Sequence, residues 1–146
     1  MESITTVKNS STKVLLRKAL GKDAVITLYA NSVFEVIWDE SLRVIEKKHL
    51  VKIRELIEQM GKGKQLLVYF STNEFLTISK EAREYGASLK AQEYTIANAV
   101  LIDSLAKKII FNFFLRINKP NKPTRGFNSK SKAIEWLLQL KRIGEN

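Results

Sequence analysis

Two residue types that often carry chemistry are nearly missing from this chain of 146 residues, which has no cysteine and one histidine, His49. The lack of cysteine excludes disulfide bonds, thiolate metal sites and a cysteine nucleophile. A metal site built from several histidines is excluded as well. His49 falls at the edge of the apolar stripe of a predicted helix, a position typical of a rim residue.

Side chains arranged for catalysis are also missing from the pattern. A nucleophile needs a base and an orienting group nearby, and a single histidine on a helix rim suggests no such arrangement. The carboxylates of Asp39, Glu40 and Glu74 fall in predicted loops and form no recognisable pair. Gly-Lys-Gly-Lys at 61–64 lacks the phosphate-loop pattern and its Ser or Thr. We therefore predict that the protein is not an enzyme and uses no cofactor or metal.

No apolar run is long enough to cross a membrane. The most apolar stretch, 109–117, is interrupted by Asn112 and Arg116, whereas a membrane-spanning helix needs about 20 apolar residues. The N-terminus has an acid at position 2 and no apolar core of the kind that signal peptides carry. The sequence predicts a soluble, cytoplasmic protein with no transmembrane segment.

Acidic residues are absent from 104 to 134, and the whole chain carries a formal net charge of +10. This sign favours anionic partners such as nucleic acid, anionic lipid or an acidic protein surface, and a merely solvated basic face is the alternative. Lys119, Lys122 and Arg125 are the candidate contacts to an anionic surface. Nucleic acid is the less expected partner because no strand combines aromatic and basic residues as RNA-binding motifs do.

The pattern predicts one α/β domain over 13–146, after a flexible N-terminal tail over 1–12. Runs rich in β-branched and aromatic residues at 24–31 and 33–40 predict a β-hairpin. The preceding run, 14–20, is compatible with a strand or a short helix.

After the hairpin, helices and strands are predicted to alternate. A mixed, mostly parallel sheet with crossover helices follows from that order. The predicted elements are a helix over 46–60, a buried strand over 65–70, a loop, a helix over 79–94, a strand over 95–103, a helix over 104–118, a short edge strand at 124–127 and a last helix capped by Asn128 or Ser129.

Three phrases in this order resemble the STAS-like family, the fold of bacterial anti-sigma-factor antagonists. They are "SKEAREYG" after the "LLVYF" strand, "NFFLRINKPNKPTRGF" and the closing "SKAIEWL". The likeness extends over most of the chain beyond residue 24 and is greatest to uncharacterised bacterial proteins labelled STAS/SEC14-like. The resemblance implies a STAS-like fold, a regulatory role through protein contacts and, from the second half of that label, a lipid ligand.

Ser79 stands where the antagonists carry a phosphorylated serine. The rest of their Asp-Ser-Ser-Gly-Leu-Gly pattern is different here, because Thr77 occupies the aspartate position and Lys80, Glu81 and Ala82 replace the glycine-rich part. We therefore predict that Ser79 caps a helix, and phosphorylation is the alternative.

The helix over 104–118 has more apolar residues than one buried face needs. A turn of about 100° per residue puts Ala106, Ile109, Ile110, Phe113 and Ile117 on one arc, predicted to face the sheet. A second, solvated arc holds Lys108, Asn112, Arg116 and Lys119. The residues left outside the core arc are Phe111, Phe114 and Leu115.

Phe111, Phe114 and Leu115 are predicted to be covered by something. The candidates are the last helix or the segment 120–127, a second copy of the chain, an apolar ligand, or a membrane surface. The sequence thus predicts a non-catalytic interaction module that self-associates, most simply as a homodimer. The alternative is a carrier or sensor of a small, lipid-like apolar ligand.

Overall fold

A computed structural model describes residues 12–145. The predicted flexible tail, residues 1–12, lies outside this range except for Thr12. Within the described range, eight strands and four helices form a single compact α/β domain. The strands are β1 (Val14–Leu20), β2 (Ala24–Tyr29), β3 (Val33–Trp38), β4 (Val44–Ile45), β5 (Leu66–Phe70), β6 (Thr77–Ile78), β7 (Thr95–Leu101) and β8 (Thr124–Phe127), and the helices are α1 (Lys47–Met60), α2 (Lys80–Gly86), α3 (Leu105–Asn118) and α4 (Lys130–Glu145).

Six strands form one mixed sheet in the order β1-β2-β3-β5-β7-β8. The β1–β2 and β2–β3 pairs are antiparallel, and the β3–β5, β5–β7 and β7–β8 pairs are parallel. The predicted α/β class and the mixed, mostly parallel sheet opened by a hairpin are therefore confirmed. The central strand β5 is buried from Leu66 to Tyr69, as a run covered on both faces requires.

The sheet separates two apolar cores. On one face, Ile26, Phe34, Val36 and Val68 pack with the apolar stripe of α1. On the other face, Leu67, Tyr69, Ala97 and Ala99 pack with Ala133 and Leu137 of α4. α3 shares the first face with α1 and lies near β7 and β8.

Three local predictions need correction or completion. The run 14–20 is a strand, β1, at the edge of the sheet. The segment predicted as a loop before Ser79 contains β6, which pairs with β4 in a separate two-stranded sheet. The helix predicted over 79–94 ends at Gly86, because the Gln92 side chain folds back and its Nε2 donates to the Gly86 carbonyl oxygen at 2.7 Å.

His49 was predicted to lie on a rim, but it is buried. The Glu46 backbone N–H donates to His49 Nδ1 at 2.9 Å, so the ring proton resides on Nε2, which donates to Asp23 Oδ2 at 3.1 Å. The histidine thus closes the first turn of α1 from inside the fold.

Candidate functional site

A cavity lies on the sheet face shared by α1 and α3. Its volume is about 180 Å³, it is partly open to solvent, and its exposed wall is predominantly apolar. Val68 and Phe70 of β5 and Val100 of β7 form part of its sheet side. Leu50, Ile53 and Ile57 of α1 and Ile110, Phe111 and Phe114 of α3 form part of its helical walls.

The cavity follows from how the elements are spaced. α1 places its apolar stripe on the hairpin and on β5, where Ile53, Leu56 and Ile57 are buried. α3 reaches the same face from the far side, beside β8. The volume between the two helices, above β5 and β7, is left unfilled by side chains.

α3 presents a different side to the protein from the one predicted. Phe111 is 8% exposed, whereas Ile109, Phe113 and Ile117 of the predicted core arc are exposed, and Ile110 of the same arc is 37% exposed and lines the cavity. The predicted solvated arc of Lys108, Asn112, Arg116 and Lys119 is confirmed, because all four residues are exposed. The error arose because apolar residues occupy both sides of this helix, so the wheel alone could not say which side faces inward.

Phe111 and Phe114 line the cavity, and Leu115 is half-buried beside them. Of the coverings predicted for these residues, the chain itself covers Phe111, because a methyl group added at Gly126 in the 120–127 segment would lie 3.1 Å from Phe111 Cδ2. α4 does not contribute, since it packs on the other face of the sheet. The two phenylalanine rings of α3 lie 6.5 Å apart between centroids.

Gly126 allows α3 to come this close, a role that no sequence pattern predicted. A Cβ at this position would lie 2.2 Å from Ile102 Cδ1 and 3.1 Å from Phe111 Cδ2. The distance to Ile102 Cδ1 is well below van der Waals contact, and the distance to Phe111 Cδ2 is tight. Glycine therefore makes room for Ile102 and Phe111 at the outer side of the cavity.

Lys107 is the charged group in the cavity wall on α3. It is buried, and its Nζ donates to Asp103 Oδ1 at 2.6 Å. That hydrogen bond lowers the pKa of Asp103 below its ordinary value. Ser104 caps the same helix turn, since its Oγ accepts from the Lys107 backbone N–H at 3.3 Å.

A polar network forms another part of the wall. Asn98 Nδ2 donates to Gln92 Oε1 at 3.1 Å and to Thr124 Oγ1 at 3.3 Å. Gln92 Oε1 also accepts from the Lys122 backbone N–H at 3.1 Å. Sequence reasoning missed Gln92 because it assigned this residue to the second helix, where a glutamine is unremarkable.

Ser79 is a helix cap, as predicted. It is the N-cap of α2, and its Oγ accepts from the Ala82 backbone N–H at 3.1 Å. Glu81 sits in the first turn, where the helix dipole favours a negative charge. Ile78, immediately before Ser79, lines the cavity.

The predicted anionic-surface residues follow α3 along the chain. Lys119 is exposed and ends α3 in a left-handed conformation with φ 49°. Lys122 is half-buried, and the exposed Arg125 lies over the Phe127 ring at 5.0 Å from its centroid. The contact of these three residues with an anionic surface stays a prediction.

The carboxylates of Asp39, Glu40 and Glu74 do not line the cavity. The Asp39 carboxylate accepts from the backbone N–H and hydroxyl of Ser41, and the side-chain bond lowers its pKa. A buried carboxylate that the sequence analysis missed, Glu35, pairs with Lys130 and accepts from the Tyr29 hydroxyl at 3.2 Å. It lies on the sheet face that α4 covers, where burial raises the pKa of Tyr69 to about 12.

The described residues contain no group of three or more histidine, aspartate or glutamate side chains placed to hold a metal ion. Between residues 12 and 145, no helix is long and apolar enough to cross a membrane.

Comparison with known proteins identifies a family. The model of a domain of unknown function, DUF7793, matches residues 28–141. No curated protein and no solved structure shows significant similarity to the chain. The matched range contains every residue that lines the cavity, from Trp38 to Thr124. Since the match spans most of the chain, this protein belongs to the DUF7793 domain family.

Proposed function

We propose that this domain is a non-catalytic binding module that takes up a small apolar molecule, or the apolar end of a lipid, between the sheet and α3. The observation that carries the proposal is the apolar cavity of about 180 Å³. This is the carrier or sensor that the sequence analysis held as its alternative. It takes precedence here because Phe111, central to the predicted self-association, is buried toward the cavity side.

The energetic argument compares an empty cavity with a filled one. Protein interiors are close-packed, and voids larger than a water molecule are few. At roughly 24 cal/mol per Å³, a fully enclosed, empty cavity of this volume would cost about 4 kcal/mol, and this cavity costs less because it is partly open. The upper bound is a sizeable fraction of the roughly 5–15 kcal/mol by which a domain is stable. A ligand that fills the volume with apolar contacts recovers part of this cost.

The size of the cavity limits the ligand. An engineered apolar cavity of about 150 Å³ in another protein stays dry and binds benzene. The present cavity is slightly larger and partly open, so it suits a group of benzene size or somewhat more, with the remainder of a longer molecule extending outward. Few polar groups are needed in such a site, since they serve to orient the ligand.

The absence of a catalytic role is part of the proposal. Three polar side chains in the wall bind one another, since Asn98 donates to Gln92 and Thr124. Lys107 is engaged by Asp103, and both ring nitrogens of His49 have partners. Such groups are suited to hold a wall in shape rather than to exchange protons with a substrate.

Native mass spectrometry of the gently extracted protein tests the proposal. The wild type is expected to retain a small apolar molecule of defined mass. Val100→Phe, which adds a ring to the cavity side of β7, should lose it. Leu101→Phe is the matched control because adjacent strand residues point to opposite faces, and Leu101 packs against the core beside α4. Retention by Val100→Phe, or a wild type free of any apolar molecule that also fails to take one up, would contradict the proposal.

A further inference from the structure

The outward side of α3 carries a continuous apolar stripe. Its members, four residues apart, are Leu105, Ile109, Phe113 and Ile117, with exposed fractions of 74%, 61%, 41% and 57%. Residues at this spacing lie one above another on one face of a helix. The opposite face is already used, because Lys107, Phe111 and Phe114 line the cavity.

Cations border this stripe. Lys108, Arg116 and Lys119 are exposed, and none of the three forms an ion pair with the part of the chain that the structure describes. No acid occurs between residues 104 and 134. The carboxylate next to the start of α3, Asp103, is engaged by Lys107. The surface is therefore apolar and positively charged at once, with no acid of its own helix to balance it.

The apolar stripe and the positive charge together indicate which kind of partner binds this face of α3. A second copy docked through this stripe would bring Lys108, Arg116 and Lys119 of both copies together, and the helix offers no acid to pair them. A nucleic acid would neutralise the cations but leave the leucine, isoleucine and phenylalanine side chains in water. An anionic bilayer surface accommodates both the apolar stripe and the cations, because apolar side chains enter the acyl boundary while cations meet the head groups.

We infer that the outward face of α3 docks on an anionic phospholipid surface, with Leu105, Ile109, Phe113 and Ile117 inserted at the interface and Lys108, Arg116 and Lys119 among the head groups. The helix then lies in the plane of the interface. This inference is independent of whether the cavity holds a ligand.

Sedimentation with vesicles tests the inference on the full chain. The wild type should sediment with phosphatidylcholine vesicles that contain phosphatidylserine, should bind pure phosphatidylcholine much more weakly, and should be released by salt. Two α3 variants, Ile109→Ser with Phe113→Ser and Lys108→Glu with Arg116→Glu, should each weaken partitioning by at least about tenfold.

Each variant has a matched control. Ile143→Ser removes one comparably exposed isoleucine from α4, and Lys18→Glu with Lys64→Glu makes the same change of net charge at exposed sites outside α3. Both controls should bind vesicles far better than the α3 variants, as should the cavity variant Val100→Phe. All the substituted α3 side chains are exposed, so the fold should persist, and circular dichroism checks this.

Three results would overturn the inference. The first is equal binding by the α3 variants and their controls, which shows a net-charge effect only, and the second is a wild type that ignores anionic vesicles at low salt. The third is a different occupant, seen either as a dimer that Ile109→Ser with Phe113→Ser dissociates or as binding to duplex DNA that only the charge variants weaken.

Discussion

At the level of single residues, several polar side chains stabilise the fold by holding the starts of helices. Ser79 and Ser104 accept backbone hydrogen bonds at helix starts, and His49 does the same from within the core. Such caps were predictable for the serines because Ser is favoured at the N-cap position. The role of His49 was not, since it depends on Asp23, a residue 26 positions away in sequence.

The N-cap hydrogen bond of Ser79 can be tested by substitution. Ser79→Ala should lower the free energy of unfolding by about 1 kcal/mol because the Ala82 N–H loses its acceptor, while Ser79→Asp, also a good cap, should cost little. Urea denaturation measures both. Phosphoserine at position 79 in protein from its native cell, or a partner that binds the wild type and is released by Ser79→Asp, would instead favour the phosphorylation alternative.

At the scale of elements, most strands and helices were predictable and their contacts were not. The hairpin, α1, β5, β7, α3, β8 and α4 follow from periodicity and turn residues. The two-residue strands β4 and β6 carry no periodic signal, because pairing with each other defines them. α2 was predicted too long because the local side-chain hydrogen bond from Gln92 to the Gly86 carbonyl leaves no signal in the hydrophobic periodicity.

The orientation of α3 is the clearest case in which the sequence was insufficient. Its apolar residues cover more than half of the wheel, so either side could have faced the sheet. In the observed orientation, Gly126 packs closely against Ile102 and Phe111, because a Cβ at this position would lie 2.2 Å from Ile102 Cδ1 and 3.1 Å from Phe111 Cδ2. The candidate site was therefore only partly predictable: Phe111 and Phe114 were singled out, but for the wrong geometric reason.

The close packing of Gly126 against Ile102 and Phe111 can be tested by adding a methyl group. Gly126→Ala should displace Ile102 or Phe111 and lower the free energy of unfolding by about 1 to 3 kcal/mol. Gly144→Ala in α4 is the control, since a methyl group there meets nothing within 4 Å, and it should leave stability unchanged or slightly raised. Equal urea midpoints for Gly126→Ala and the wild type would show that α3 does not depend on this close approach.

At the scale of the whole molecule, α3 separates two surfaces of different chemistry. Its inner side closes an apolar cavity and its outer side presents an apolar, basic face. The homodimer through Phe111, Phe114 and Leu115 stays a prediction, and one of these three residues, Phe111, is buried within the chain.

A double substitution distinguishes a core role for Phe111 and Leu115 from a role in a dimer interface. We expect Phe111→Ser with Leu115→Ser to lower the free energy of unfolding by about 3 to 5 kcal/mol, as large-to-small core changes do, and to leave the sedimentation coefficient of the folded fraction unchanged. A fully stable variant that shifts from dimer to monomer would restore the interface that the sequence predicted.

An NMR titration of the full chain with 1-octanol tests whether the cavity beneath α3 binds a small apolar molecule. This probe is uncharged and does not respond to the basic surface. We predict saturable shifts of the backbone amides around the cavity, including Phe70, Val100 and Phe111, in the wild type and in Leu101→Phe, and their loss in Val100→Phe. Shifts that never saturate, or that are the same in Val100→Phe as in the wild type, would contradict the account.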